Sequence, residues 1–336
     1  MPANQDHALD VIAIGRSSVD LYGQQIGSRL EDIATFSKSV GGCPANIAVG
    51  TARLGLKSGL ITGVGAEQMG RFIIEQCARE GVATQGIKID KERLTALVLL
   101  AVEDEGVSPM IFYRPDFADM AITEYDVDEA FVRSSKSVLV SGTHFSRPNT
   151  AAAQLKAMRI AKANGGKVVF DIDYRPNLWG LAGHDAGFER YVKSDTVSAR
   201  LKTVLPDCDL IVGTEEEVLI AAGEDTLLAA LKAIRSLSEA TIVGDGFPIE
   251  VYNVLGAGDA FMSGFLRGWL RGESHKTSAT WANAAGAFAV SRLLCSPEYV
   301  TWDELQHFLK NGSKHHALRK DAELNHIHWS TTRRGD

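Results

Sequence analysis

Asp259 closes the run Asn253-Val254-Leu255-Gly256-Ala257-Gly258-Asp259 and leads into the apolar stretch Ala260-Phe261-Met262-Ser263-Gly264-Phe265. Glycines at 256 and 258 let the backbone turn tightly and let a ligand come close. The stretch that follows reads as a helix, and the free N–H groups and dipole at a helix start bind anions. A carboxylate just beyond such a nest cannot itself favour phosphate. Taking a proton from an attacking hydroxyl is the economical role for Asp259. Taken alone, the same four residues would serve equally as a glycine turn with an acidic cap.

Gly41-Gly42-Cys43-Pro44-Ala45-Asn46 sets a second glycine pair before a second helix start. The exposed backbone of Gly41 and Gly42 and the Asn46 amide can hydrogen-bond several hydroxyls of a polyol, although a glycine pair before proline also makes an ordinary entry into a helix. Asp171-Ile172-Asp173-Tyr174-Arg175-Pro176-Asn177-Leu178-Trp179 ends an apolar strand, where open α/β sheets bind ligands. There Arg175 can meet a carboxylate with two parallel hydrogen bonds, or else pair with a neighbouring acid. Arg114, in Phe112-Tyr113-Arg114-Pro115, would supply another cation. Thr214-Glu215-Glu216-Glu217 stands at a helix start that acids favour. His315-His316 and His326-x-His328 read as surface histidines, and His144 as a core residue or pocket wall.

The elements that must position these residues can be followed along the chain. An apolar strand covers Val11–Ile14, and strand-like sequence runs over 17–40. A helix is predicted over Pro44–Leu54, a strand over Ser58–Thr62 and a helix over Met69–Glu80. Leu94–Val102 and Pro109–Tyr113 read as a hairpin across the polar turn 103–106. Strand–helix alternation follows: strands at Ser137–Val140, Lys167–Asp171 and Leu210–Val212, with helices at Thr150–Asn164, Phe188–Thr203, Glu215–Ala222 and Thr226–Leu237. Helices at Gly256–Arg271, Thr277–Leu294 and Trp302–Asn311 complete the reading. Such alternation implies parallel strands with crossover helices on both faces. Only Gly244-Asp245-Gly246-Phe247 separate the apolar stretches 240–243 and 248–251, so 243–246 reads as the join left by a missing loop, and no chemistry is drawn from it.

With 336 residues, 45% hydrophobic and 23% charged, the chain can bury a large α/β core and stay soluble. A formal net charge of -7 argues against nucleic acid as a partner. The cysteines Cys43, Cys77, Cys208 and Cys295 form no C-x-x-C pair and read as reduced thiols. Residues 1–10 carry no hydrophobic signal core and no apolar run is long enough to span a bilayer, so the expected location is the cytoplasm. The first strand ends Gly15-Arg16-Ser17-Ser18 rather than in a G-x-G-x-x-G turn, which argues against a dinucleotide-dependent dehydrogenase.

Together, Gly41-Gly42-x-x-x-Asn46 and Gly256-Ala257-Gly258-Asp259 resemble the two signatures of the ribokinase-like (PfkB) carbohydrate kinases, in order and at the expected separation. The resemblance covers nearly the whole chain. It implies a single three-layer ribokinase-like α/β domain over 1–336, with a mostly parallel central sheet flanked by helices and a small β-sheet lid from about 17–40 and 94–114. It makes Asp259 the catalytic base and the 256–258 amides the anion hole, with Asp20, Gly41, Gly42, Asn46, Arg114 and Arg175 on the sugar. Thr214-Glu215-Glu216-Glu217 falls where the family has N-x-x-E, whose glutamate orders Mg²⁺ through water; Glu217 keeps the acid and Thr214 replaces the asparagine. Asn283 matches the adenine-side helix. Many relatives carry aspartate where Asn253 stands in a monovalent-cation site, so that cation is left unassigned.

The Tyr174-Arg175-Pro176 segment, the Arg114 segment and the tail from 318 to 334 look like those of family members acting on keto-deoxy sugar acids in myo-inositol breakdown. The implied reaction is ATP-dependent phosphorylation of a terminal primary hydroxyl, with 5-dehydro-2-deoxy-D-gluconate as the leading acceptor. The rival acceptors are 2-keto-3-deoxygluconate and fructose, and the rival class is a non-catalytic sugar-binding regulator. A homodimer through the lid edges is the expected assembly.

Overall fold

The computed structural model describes residues 7–102, 109–113, 116–183, 191–238 and 255–311. In chain order, β1 (Val11–Ile14), β2 (Ser18–Gly23) and β3 (Phe36–Gly41) precede α1 (Cys43–Arg53), β4 (Ser58–Gly65), α2 (Gln68–Arg79) and β5 (Ala83–Asp90). β6 (Leu97–Leu100), β7 (Met110–Tyr113), α3 (Glu129–Arg133), β8 (Ser137–Ser141), α4 (Pro148–Ala163) and β9 (Lys167–Asp171) follow. The last described elements are α5 (Asp195–Lys202), β10 (Leu210–Val212), α6 (Glu215–Ala222), α7 (Leu227–Leu237), α8 (Ala257–Trp269), α9 (His275–Val290) and α10 (Trp302–Asn311).

Six strands pair in the order β10-β9-β8-β1-β4-β5, and every pairing is parallel. Successive side chains of a strand point to opposite faces, so a sheet covered on both sides must be apolar at every position. β1 shows this directly. Ile12 and Ile14 join one core with residues of α4, α5, α6 and α7, while Val11 and Ala13 join another with α1, α2, α8 and α9. The helices thus form two layers around the sheet, the α/β arrangement expected from the sequence. Among the described residues no helix is long and apolar enough to cross a membrane.

The chain leaves β1 toward β4 and β5, then returns to build β8, β9 and β10 on the other side. The reversal beside β1 opens a crevice at the carboxyl ends of β1 and β8, where doubly wound sheets take ligands. A second, four-stranded sheet in the order β3-β2-β6-β7 covers it. Its apolar side chains, Tyr22, Val98, Leu100, Met110 and Phe112, pack with Ala260, Leu293 and Cys295.

The structure differs from the sequence reading at several elements, among them the short helix α3, which the sequence reading lacks. The helix expected from Phe188 begins at Asp195, because Ser194 accepts the Val197 N–H and caps it there; residues 184–190 lie outside the described set. α9 starts at His275, capped by Ser274, and stops at Val290 rather than Leu294. β5 is an unanticipated edge strand: its sequence, ATQGIKID, is half exposed and lacks the β-branched run of the inner strands. Arg114, Asn253, the 243–246 join and the tail histidines also fall outside the described residues.

Candidate active site

α8 begins at Gly256, which takes φ +77° as the helix N-cap. An L side chain is strained there, and a Cβ would come 2.5 Å from both Cys295 Sγ and Tyr299 Oη. Tyr299 Oη donates to the Gly256 carbonyl at 2.8 Å and fixes the turn. The first bond within the helix runs from the Ala260 N–H to Gly256 O, so the amides of 257–259 precede the ladder and stay available to an anion. A Cβ on Gly258 would meet nothing within 4 Å, which leaves that side of the turn open.

Asp259 sits in the first turn of α8 and faces a cavity lined by Arg16, Asp20, Gly42, Asn46, Arg175 and Gly256, among others. Enclosure pushes its carboxyl up to about 7, and the neighbouring Asp173 adds to the rise. A hydrogen bond from Asn46 and the positive charges of Arg175 and Arg16 oppose it. A carboxylate that changes charge near neutrality is matched to accepting a hydroxyl proton.

α1 approaches from the other side. Its fourth residue, Asn46, donates Nδ2–H to Asp259 Oδ2 at 2.9 Å across 213 positions of sequence. The two helices can come this close because Gly50 of α1 meets Ser263 of α8, where any Cβ would collide. Gly41 gives room in the same way: a Cβ there would overlap the Asp20 carboxylate. Asp20, on β2, is buried, lines the cavity and accepts a hydrogen bond from Ser18 Oγ at 2.7 Å.

The end of β9 forms the remaining wall. Arg16, directly after β1, donates Nη2–H to both oxygens of Asp173, at 2.7 and 2.6 Å, and both residues are buried. Asp173 is the one non-glycine positive-φ residue among those described, at φ +32°, and its carbonyl accepts from Thr143 Oγ1 at 2.5 Å. Strained backbone of this kind gathers at functional sites. Arg175 is held more loosely, 3.8 Å from Asp173 and 3.6 Å from Glu217, with its side chain 34% exposed toward the cavity. Burial and the charges of Asp173, Glu217 and Asp259 push the Asp171 carboxyl well up, and Cys43 donates its thiol to Asp171 at 3.3 Å.

The remaining predicted residues lie apart from that cavity. Thr214 caps α6, and Glu217 completes a capping box. The Glu217 oxygens accept the Tyr174 N–H at 3.0 Å and the Thr214 N–H at 2.9 Å. A carboxylate so engaged fits a hydrated ion at second hand rather than direct coordination of a metal. Asn283 is half-buried on α9, outside the cavity lining. His144 is fully buried beyond β8. Arg16, Cys43, Asp171 and Asp173 were not singled out from the sequence. The signals available were the Arg after the first strand and the acid–x–acid pair ending another.

A titratable carboxylate at a helix start with free amides, opposite a pocket rich in polar donors and acceptors, has the chemistry that phosphoryl transfer to an alcohol would use. Comparison with known proteins makes the class specific. The sequence matches the pfkB family of carbohydrate kinases over residues 8–246 and 234–301. It is 30% identical over 349 residues to the 5-dehydro-2-deoxygluconokinase of Geobacillus kaustophilus, covering 95% of this chain and 99% of that protein. The same-named protein of Bacillus subtilis is 30% identical over 332 residues, with 92% and 98% covered. Among solved structures, a PfkB protein from Polaromonas sp. JS666 superposes with a TM-score of 0.73 at 26% identity, covering 87% of this chain and 99% of that one. A putative ribokinase II from E. coli shares the fold at TM-score 0.79 and 23% identity, with 90% and 99% covered. The chain belongs to the pfkB family and is a carbohydrate kinase.

Proposed function

We propose that this kinase transfers the γ-phosphoryl group of ATP to the terminal primary hydroxyl of 5-dehydro-2-deoxy-D-gluconate, giving the 6-phosphate, within myo-inositol catabolism. The observation that carries the reading is the convergence of Asp259, Asn46, Asp20 and Arg175 on one cavity beside the α8 start. The names of the relatives in Geobacillus and Bacillus support the acceptor.

In this mechanism the acceptor oxygen attacks the γ-phosphorus in line, its proton passes to Asp259, and ADP leaves. The amides at 256–258 receive the charge that develops on the phosphoryl oxygens. Asp20, Gly41, Gly42 and Asn46 hold the acceptor's hydroxyls, and Arg175, joined by Arg114, takes its carboxylate. The small sheet acts as a lid of the single kinase domain and shields the reacting atoms from water. Mg²⁺, when bound, would neutralise charge on the transferring phosphoryl group; Glu217 would order it through water, with Thr214 and Asn283 on the nucleotide side. The enzyme works in the cytoplasm, as a dimer paired through its lid edges. Alignment of reactants can lower a barrier by about 7–11 kcal/mol, while general-base help is worth about 10²–10⁴-fold. Positioning is therefore the larger contribution.

A panel of sugar acids and neutral sugars, assayed with ATP, tests the reading together with Arg175→Ala. The expected result is turnover of the sugar acid by the native protein. The variant should lose about tenfold or more of kcat/KM on acids, as expected for a charged hydrogen bond, with a smaller loss on neutral sugars. Equal losses on both would remove Arg175 from carboxylate recognition.

A further inference from the structure

The two amide atoms of Asn46 are in different situations. Nδ2 is committed to Asp259 Oδ2 at 2.9 Å. Oδ1 is buried and has no hydrogen-bond partner, although the residue lines the cavity and is only 4% exposed. A buried acceptor without a donor is costly, so its retention calls for a donor that arrives with a ligand. The attacking group of an acceptor sugar is such a donor.

We infer that Asn46 is the positioning residue of the catalytic base: its Nδ2 orients the Asp259 carboxylate, and its Oδ1 waits for a hydroxyl of the acceptor. One side chain then fixes both partners of the proton transfer. The inference rests on the kinase reading and deepens it, since gripping a sugar requires no bond to Asp259. The backbone supports the geometry. Asn46 closes the first turn of α1 through its N–H to Gly42 O at 2.9 Å, and α1 is pressed against α8 at Gly50 and Ser263. The backbone that carries the amide is therefore held beside α8, within reach of the carboxylate.

The charge environment gives the arrangement a readable consequence. Arg16, following β1, and Arg175, beyond β9, face Asp259 as cations, while Asp171 and Asp173 oppose them at the end of β9 and Asp20 faces the cavity from β2. Cys43 on α1, Tyr22 on β2, and Cys295 and Tyr299 after α9 stay neutral, because burial pushes each of them up. Of the groups acting on Asp259, the Asn46 amide is the largest that favours the charged form. Deleting it must raise the proton affinity of Asp259, whose carboxyl burial already pushes up to about 7, and so move the acid limb that Asp259 sets in kcat/KM to higher pH.

The test is the pH profile of kcat/KM, with ATP saturating, for the native enzyme, Asn46→Ala and Asn46→Asp. Asn46→Ala should move the acid limb up by about one pH unit, as expected for loss of a charge-assisted hydrogen bond. Asn46→Asp, which keeps the shape but sets a second carboxyl beside Asp259, should move it further. Carbon-detected NMR titration of the Asp259 carboxyl in the unliganded variants reads the same shift without turnover. An unmoved limb and an unmoved carboxyl titration, with only KM raised, would overturn the inference and leave Asn46 as a sugar contact. A native protein that turns over no sugar with ATP would defeat the kinase reading instead, and the NMR titration would still decide the role of Asn46.

Discussion

Two helix starts meet in this site, and they are built alike but used differently. Both begin on a glycine at positive φ, Gly42 at +91° for α1 and Gly256 at +77° for α8. α1 then places Pro44 in its first turn, which removes a backbone donor. A Cβ on Gly42 would press on the Arg16 carbonyl at 2.7 Å, so on its Cβ side this start packs against the neighbouring loop, although Gly42 also lines the cavity. α8 places Gly258 in the equivalent turn, with nothing within 4 Å of a Cβ there, so its amides stay open. α1 sends a neutral amide across the gap and α8 sends a carboxylate. One start serves as a side-chain platform, and the other leaves backbone amides that the proposed mechanism gives to an anion. Glycine-led helix starts are thus not interchangeable as ligand sites; what decides is whether the first turn is left uncovered.

The comparison can be broken at its glycines. Gly256→Ala forces an L side chain into a positive-φ position against Cys295 and Tyr299. It should cost about 1–3 kcal/mol of stability and, by displacing Asp259, about a hundredfold in turnover. Gly258→Ala is sterically free. Its melting temperature should stay within about a degree or two of the native value, while KM for the nucleotide should rise, because in the proposed mechanism the phosphate approaches this turn. Thermal melts and steady-state kinetics on the pair separate the cases. If both variants behave alike, the distinction between a covered and an open start fails.

A smaller effect sharpens the same contrast. The Asp259 carboxyl is raised above its unfolded value, so between about 3.8 and 7 the folded chain binds more protons than the unfolded one. Stability from this group therefore falls as pH rises through that window, and the full cost of the charged form is present above it. Asp259→Asn should raise the melting temperature at pH 8, with the gain shrinking toward pH 5. The neutral Asn46, replaced at the other start, should show no such growing gain. Melting curves at the two pH values check this.

The sequence made the two signatures legible because each is local. Three or four residues fix the turn, the helix and the side chain that follows, and Gly256 and Gly42 occupy the positions such turns need. The parallel sheet was legible for a similar reason, since strands buried on both faces are apolar throughout. What stayed hidden was made by topology. Arg16 and Asp173 are 157 positions apart and meet only because β1 and β9 flank β8 in one sheet. The Asn46–Asp259 bond spans 213 positions and depends on Gly50 letting two helices touch, which no local pattern announces. β5 escaped notice because a half-exposed edge strand carries polar residues on both faces.

The central claim is that Asp259 accepts the proton of the hydroxyl that attacks ATP. Single-turnover kinetics of Asp259→Asn with ATP and the sugar acid, alongside a nucleotide-binding titration, tests it most directly. The account predicts a rate at least about a hundredfold below native with nucleotide affinity retained. A near-native rate would contradict it, and the proton would then have to leave by another route.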